Sequence, residues 1–145
     1  MSQTHDEELA RTQLQMNGLV PHHFGCLVRN LDEAMACYGA LFPVISPKIY
    51  VSAQKVTVCF VQFADSISLE LIEPAEPSAA TQTMLKRGIA YYHVGYLAKE
   101  YDQRILELEA LGFSVVESFR SEAFEGRRCA FLMTPLLHLI ELIEV

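Results

Sequence analysis

The 145-residue sequence is short of positive charge, with 11 Lys and Arg against 18 Asp and Glu, for a formal net charge of −7. A protein that binds the phosphate backbone of nucleic acid needs a basic face, so this balance argues against nucleic acid as a partner. It leaves open a small anionic ligand that is held by a few local cations.

Long apolar runs are also missing. The longest, such as Val56 to Phe63, falls far short of the roughly 20 residues that span a bilayer. The N-terminal residues MSQTHDEE are acidic and polar, without the basic flank and apolar stretch of a signal peptide. We therefore expect a cytoplasmic protein that has no membrane partner.

The four cysteines have no CxxC spacing, which leaves zinc ribbons and thioredoxin-like redox motifs unsupported. All four lie in apolar surroundings, which predicts reduced thiols in the core: Cys26, Cys37, Cys59 and Cys129. The chain is 51% apolar and 20% charged. This composition predicts a packed globule, and the length is typical of one domain.

An internal repeat organises the chain. The segment HFGCLV, beginning at His23, is echoed by HVGYLA, beginning at His93, at a shift of 70 residues. The segment LELIE, beginning at Leu69, is echoed by IELIE, beginning at Ile140, at a shift of 71 residues. Landmarks in the same order at nearly one offset predict a duplicated structural unit.

Each copy is predicted to contain a strand, a helix and three further strands. In the first copy we expect a strand over 24–28, a helix over 31–41, and strands over 49–52, 56–63 and 67–72. In the second we expect a strand over 94–97, a helix over 101–111, and strands over 114–119, 128–133 and 137–145. A short helix over 79–86 is predicted between the copies.

The predicted organisation is therefore one α+β domain over 20–145. Module one covers 20–74, a linker covers 75–89 and module two covers 90–145. Residues 1–19 form an N-terminal extension, in which the positions of Leu9 and Met16 fit an amphipathic helix.

Period two decides which side chains of the strands share a face. If the apolar neighbours of Glu70 and Glu141 pack under the helices, both glutamates project onto the concave face of the sheet. His23 and His93, which open equivalent strands, can face the same space. The same alternation makes His22 point away from His23, to the surface. A buried carboxylate must be paired, protonated or bound to a metal, because isolated burial costs too much free energy.

The chain resembles the vicinal oxygen chelate superfamily, which contains glyoxalase I, methylmalonyl-CoA epimerase, extradiol dioxygenases and bleomycin-resistance proteins. The resemblance covers residues 21–145. Its elements are HFG from His23, LELIEP from Leu69, HVGY from His93, LIEL from Leu139, GRRCAF from Gly126 and MLKRG from Met84. Within the superfamily, the chain is most similar to methylmalonyl-CoA epimerase-like proteins.

The resemblance implies two tandem βαβββ modules that form a curved, partly open, eight-stranded cup. It also implies a divalent metal ion on the floor of the cup, held by His23, Glu70, His93 and Glu141. Two positions of an octahedron then remain for water or substrate oxygens. This ligand set suits Co²⁺, Ni²⁺, Mn²⁺, Fe²⁺ or Zn²⁺ without choosing among them. Superfamily members commonly pair, so the resemblance also implies a homodimer.

The activity that the resemblance implies is that of a metal-dependent lyase or isomerase, which abstracts a proton next to a carbonyl group of a small-molecule substrate such as a CoA thioester. The epimerase also uses a carboxylate base from the strand after the first helix, but the matching residues 55–59 (KVTVC) contain no Asp or Glu. Glu141 is the residue that we expect to be catalytic in its place. Two alternatives remain open: a metal-free, ligand-sequestering protein of the bleomycin-resistance type, and an iron-dependent dioxygenase.

Overall fold

The computed structural model describes residues 18–77 and 79–145. The amphipathic helix predicted within 1–19 therefore lies outside the described residues, apart from Gly18 and Leu19. The described residues form three α-helices: α1 (Leu31–Gly39), α2 (Ala80–Lys86) and α3 (Tyr101–Ala110). They also form eight strands: β1 (Leu19–Leu27), β2 (Ile49–Val51), β3 (Val56–Ala64), β4 (Ile67–Pro74), β5 (Tyr91–Ala98), β6 (Ser114–Ser121), β7 (Arg127–Met133) and β8 (Leu139–Glu144).

These strands form a single sheet in the order β2-β3-β4-β1-β5-β8-β7-β6. β1 and β5 run antiparallel at its centre, and each pairs in parallel with the last strand of its own module, β4 or β8. The outer strands pair antiparallel. The order is therefore the same when it is followed outward from the centre in either direction. The predicted α+β fold of two tandem βαβββ modules is confirmed.

β1 starts earlier than the sequence predicted. It begins at Leu19, which pairs with Ala98 of β5, whereas the prediction began at Phe24. The sequence did not predict this start because of Pro21. Proline lacks the N–H that a sheet ladder needs and normally argues against an internal strand. The structure accommodates Pro21 next to an irregularity, since the β1–β5 register shifts between Pro21 and His23.

The convex face of the sheet packs against the helices. Leu69 and Leu71 of β4 lie in a buried cluster with α1, and Leu142 of β8 lies in another with α3. The apolar faces of β4 and β8 therefore pack under the helices, which is the condition on which the sequence placed both glutamates on the concave face. Because neighbouring side chains in a strand alternate, Glu70 and Glu141 point to the concave face.

Helix α1 begins where the sequence predicted. Asn30 is its N-cap, and the Asn30 side chain accepts a hydrogen bond from the backbone N–H of Glu33. Cys37 lies on the solvent side of α1 and is exposed, so the prediction of four core thiols is wrong for this residue. The other three cysteines are buried, and all four are free. None of the helices in 18–77 and 79–145 is long and apolar enough to cross a membrane.

The two ends of the sheet meet across the cup. A short 3₁₀ helix, Glu122–Phe124, follows β6. The backbone N–H of Ser52, just after β2, donates a hydrogen bond of 2.7 Å to the Glu122 carboxylate. The amide of Gln54 donates to Glu117 of β6 at 3.4 Å. These contacts hold the 3₁₀ helix in place, and its Phe124 ring lies against the side chains at the centre of the sheet.

Candidate metal centre

His23 and His93 lie next to each other on the central strand pair. The antiparallel register sets His23 opposite Gly95 and His93 opposite Gly25. The Nε2 atoms of the two histidines are 2.9 Å apart, and both side chains are buried. The duplicated HxG motif therefore brings two imidazoles from distant parts of the chain to one point.

Two glycines make room for these rings. A Cβ atom built on Gly95 would lie 2.0 Å from Cε1 of His23, and one built on Gly25 would lie 2.4 Å from Cε1 of His93. Real Cβ atoms essentially never approach a neighbour this closely. In the sequence, both glycines were recognised only as landmarks of the repeat. The signal that could have assigned them this role is a glycine two residues after each histidine.

A β-bulge precedes each histidine. His22 is an extra residue on β1, and Tyr92 is an extra residue on β5, at the two register shifts between these strands. A bulge interrupts the alternation of side chains, so each extra residue shares a face with the histidine that follows it. The prediction that His22 points away from His23 is therefore wrong, since their Nδ1 atoms are 2.9 Å apart.

Glu70 and Glu141 come from the strands on either side of the histidines, β4 and β8. Oε1 of Glu141 lies 3.2 Å from Nε2 of His23 and 3.6 Å from Nε2 of His93. Oε1 of Glu70 lies 3.8 Å and 3.6 Å from the same two atoms. All four side chains that the sequence singled out are therefore brought together, and all four are buried.

These separations fit ligands of one divalent ion. Two atoms that are each about 2.1 Å from a zinc ion lie about 3.0 Å apart at a right angle and about 3.6 Å apart at 120°. The five separations within the cluster run from 2.9 to 3.8 Å. Ligand atoms of His23, Glu70 and His93 lie within 4.8 Å of one another. Glu141 is not part of this group of three, but its Oε1 atom lies beside both histidines. Oε1 of Glu141 also lacks a hydrogen-bond partner among the described residues, although it is buried. A bound cation would satisfy this atom.

Aromatic rings shield the four side chains from water. Phe124 stacks on His23 with ring centroids 5.7 Å apart, and Phe131 contacts His93 edge-on at 5.0 Å. Tyr92 also packs edge-on against His93, at 4.8 Å. The exposed fraction of the four side chains' residues is between 1% and 6%. The low polarity of these surroundings strengthens electrostatic interactions within the cluster.

Burial sets the protonation of the cluster without an ion. It raises the pKa of Glu141 to about 8 and that of Glu70 to about 7, because the charged carboxylate loses its hydration. It lowers the pKa of His23, and it lowers that of His93 well below its usual value. Burial therefore favours the uncharged forms of all four groups, protonated carboxyl groups and neutral imidazoles, over ion pairs.

A cavity of about 720 Å³ reaches this cluster at His93. Its lining is largely apolar and includes Phe24, Tyr91 and Tyr92. This volume is within the range of sites for small organic molecules. Phe24, Phe42 and Leu69 line it and also belong to the buried cluster with α1, so much of the cavity lies on the helix side of the sheet and it meets the metal ligands only at His93.

Sequence comparison identifies the family. The sequence profile of the glyoxalase/bleomycin resistance protein/dioxygenase superfamily matches residues 22–131. The chain belongs to this superfamily. The resemblance to vicinal oxygen chelate proteins is thereby confirmed. No curated protein matches the chain in sequence.

Solved structures share the superfamily fold. A hypothetical protein from Bacillus halodurans C-125 has a TM-score of 0.77 and 19% identity, covering 88% of this chain and 94% of that chain. Methylmalonyl-CoA epimerase from Mycobacterium tuberculosis has a TM-score of 0.73 and 22% identity, covering 86% of each chain. A Streptomyces coelicolor methylmalonyl-CoA epimerase variant in complex with 2-nitronate-propionyl-CoA has a TM-score of 0.74 and 23% identity, covering 86% of this chain and 92% of that chain. At these identities the likeness establishes the fold and not the activity.

Members of the superfamily typically bind a divalent metal ion, and the cluster of His23, Glu70 and His93 can hold one. Its position on the two central strands and a flanking strand follows directly from the duplicated topology.

Proposed function

We propose that this protein is a metal-dependent lyase or isomerase, either epimerase-like or glyoxalase-like, that removes a proton from a carbon next to a carbonyl group. The convergence of four buried ligand atoms carries the proposal. They belong to His23, Glu70, His93 and Glu141. Two imidazoles and two carboxylates suit Co²⁺, Ni²⁺, Mn²⁺, Fe²⁺ or Zn²⁺. Four protein ligands leave two octahedral positions for oxygen atoms of water or substrate.

A bound ion would supply Lewis acidity, which polarises a carbonyl oxygen and makes the neighbouring C–H more acidic. The residues of the chain would hold the ion and exclude water from it. His23 and His93 hold their Nε2 atoms toward a common point. Phe124 and Tyr92 exclude water from that point, which strengthens the interactions that stabilise developing negative charge.

Glu141 is the residue that we propose to move the proton. β3 contains no acidic residue between Val56 and Ala64, and it contributes Phe60 beside the His23 ring, with centroids 6.0 Å apart. Burial raises the pKa of Glu141 to about 8, so its carboxylate is a stronger base than an exposed one. Its carboxylate would accept the proton from the substrate carbon after the carboxylate is released from the ion.

The substrate that we propose is a small carbonyl compound, with a CoA thioester as the first candidate. A cavity of about 720 Å³ has His93 in its lining, and its volume is within the range of sites for small organic molecules. Two structural neighbours are epimerases in complex with 2-nitronate-propionyl-CoA and with methylmalonyl-CoA. The homodimer and the cytoplasmic location stay predictions.

The structure weighs against the two alternatives. A dioxygenase of this superfamily needs only the two histidines and the final glutamate, whereas Glu70 lies within 3.8 Å of both histidine Nε2 atoms and would occupy a position that oxygen and substrate need. A sequestering protein has no need for two buried carboxyl groups beside two imidazoles, because burying them costs free energy that an empty pocket does not require.

Metal analysis followed by hydrogen exchange tests the proposed function. We expect about one divalent ion per chain and deuterium incorporation from heavy water into the α-carbon of 2-methyl thioesters or of hemithioacetals. Chelation should abolish this incorporation, and adding the ion back should restore it. Protein that binds no divalent ion, or exchange that chelation does not change, would contradict the proposal.

Metal affinity is expected to rise with pH. Burial raises the pKa of Glu70 to about 7 and that of Glu141 to about 8, so each carboxyl group must lose a proton before it can bind an ion. Burial lowers the pKa of both histidines, so protons compete with the ion for them less than for exposed histidines. The dissociation constant should therefore fall by up to about tenfold per released proton for each pH unit between about 5 and 8, and level off above this range. Chelator competition at several pH values measures it. An affinity that is constant over this range would mean that these carboxylates do not bind the ion.

A further inference from the structure

His22 lies directly against the proposed metal ligand His23. The bulge in β1 turns both rings to the concave face, where their Nδ1 atoms are 2.9 Å apart. The His22 ring contacts Phe60 and Phe124 edge-on, at centroid distances of 6.1 and 5.7 Å. Packing therefore holds the His22 ring in the position from which it reaches His23.

The surroundings of His23 determine which of its nitrogens carries the proton. A neutral imidazole has one N–H donor and one acceptor nitrogen. Nε2 of His23 faces the cluster, 2.9 Å from Nε2 of His93 and 3.2 Å from the carboxyl oxygen of Glu141. An ion held by the cluster needs this atom to be unprotonated. The proton then belongs on Nδ1, where Nδ1 of His22 is within hydrogen-bond distance.

We propose that His22 is a positioning residue for the metal centre. Its Nδ1 atom accepts a hydrogen bond from Nδ1–H of His23 and so keeps Nε2 of His23 free of a proton and directed at the ion. This inference rests on the metal site of the proposed function. An acceptor behind a histidine ligand fixes the tautomer and orientation of the ring and raises its basicity.

Module two supplies a comparison within the same molecule. Tyr92 occupies the position equivalent to His22, 70 residues later, and is the bulge residue of β5. Tyr92 contacts His93 only with the edge of its ring, at 4.8 Å between centroids. Nδ1 of His93 is buried and has no hydrogen-bond partner among the residues that the structure describes. The two imidazoles are therefore inequivalent, and His22 is what distinguishes them.

Two substitutions separate the hydrogen bond from the packing of the ring. His22→Phe keeps an aromatic ring beside Phe60 and Phe124 but removes the acceptor. His22→Asn removes the ring but keeps an acceptor, because its amide oxygen is as many bonds from Cβ as Nδ1 is. We expect His22→Phe to bind Co²⁺ about 10- to 100-fold more weakly in chelator competition, with a changed Co²⁺ absorption spectrum. His22→Asn should keep close to the wild-type affinity and spectrum. If His22→Phe binds as tightly as wild type, or if His22→Asn loses as much affinity as His22→Phe, the proposal is overturned.

The tautomer of His23 gives a second readout that needs no substitution. Long-range proton–nitrogen correlation spectra should place the His23 proton on Nδ1, both in metal-free and in Zn²⁺-loaded wild-type protein. A proton on Nε2 in the metal-free protein would overturn the proposal. If the wild-type protein binds neither ion, the proposed function fails, whereas the metal-free tautomer still decides whether His22 is an acceptor for His23.

Discussion

Replacing Glu141 by glutamine is expected to reduce deuterium exchange at the substrate α-carbon by about 10²- to 10⁴-fold, the usual contribution of a general base. The amide has nearly the same shape as the carboxyl group and keeps an oxygen beside His23 and His93. It cannot accept the substrate proton. The rate at saturating metal and substrate should therefore fall much more than the measured metal content does.

The control for this experiment is Glu144→Gln in the same strand. Glu144 accepts hydrogen bonds from Arg128 at the end of β8, and its glutamine variant keeps an acceptor there. We expect this variant to retain wild-type exchange and metal content. If Glu141→Gln exchanges deuterium at the wild-type rate when loaded with metal, a different residue moves the proton.

Replacing Gly95 by alanine is expected to weaken metal binding by more than about 100-fold. Mutating a residue that hydrogen-bonds to a metal ligand typically weakens metal binding by about 10- to 100-fold, and displacing the ligand itself should cost more. The new methyl group would lie 2.0 Å from Cε1 of His23, inside the ring's van der Waals radius. His23 is 1% exposed and stacked on Phe124, so the ring has no free space into which it can move. Overpacking of this kind also costs about 1–3 kcal/mol of folding stability. Chelator competition and urea unfolding measure the two effects.

Gly39→Ala is the matched control for this substitution. Gly39 ends α1, and a methyl group there would meet only the Val44 side chain, at 3.3 Å. We expect unchanged metal affinity. Gly25→Ala should resemble Gly95→Ala, because its methyl group would lie 2.4 Å from Cε1 of His93. Wild-type affinity in Gly95→Ala would mean that the His23 ring does not lie where the structure places it.

The duplicated fold was predictable because its signals are local and repeated. Alternation in the strands around Glu70 and Glu141 placed both carboxyl groups opposite the leucines that pack under the helices. The shared offset of His23 and His93 then indicated a common location. The register of the central strands brings the two histidines together, because it sets each histidine opposite the glycine of the other module.

The bulges were not predictable from alternation. His22 and Tyr92 each add one residue to a strand, and only the pairing of β1 with β5 decides where this happens. A single extra residue reverses the face of the side chain. For this reason the sequence placed His22 at the surface, although it contacts His23. The contact of Phe124 with His23 was also missed, because it depends on the meeting of the two distant ends of the sheet.

The donor set of the bound ion can be measured directly by X-ray absorption of the Co²⁺-loaded protein. We expect a nearest shell of nitrogen and oxygen atoms at about 2.0–2.2 Å, with the outer scattering of two imidazole rings and no sulfur at about 2.3 Å. His93→Ala should remove the contribution of one imidazole. A spectrum with cysteine sulfur in the nearest shell, or with no imidazole scattering, would contradict the metal centre on which the proposed chemistry depends.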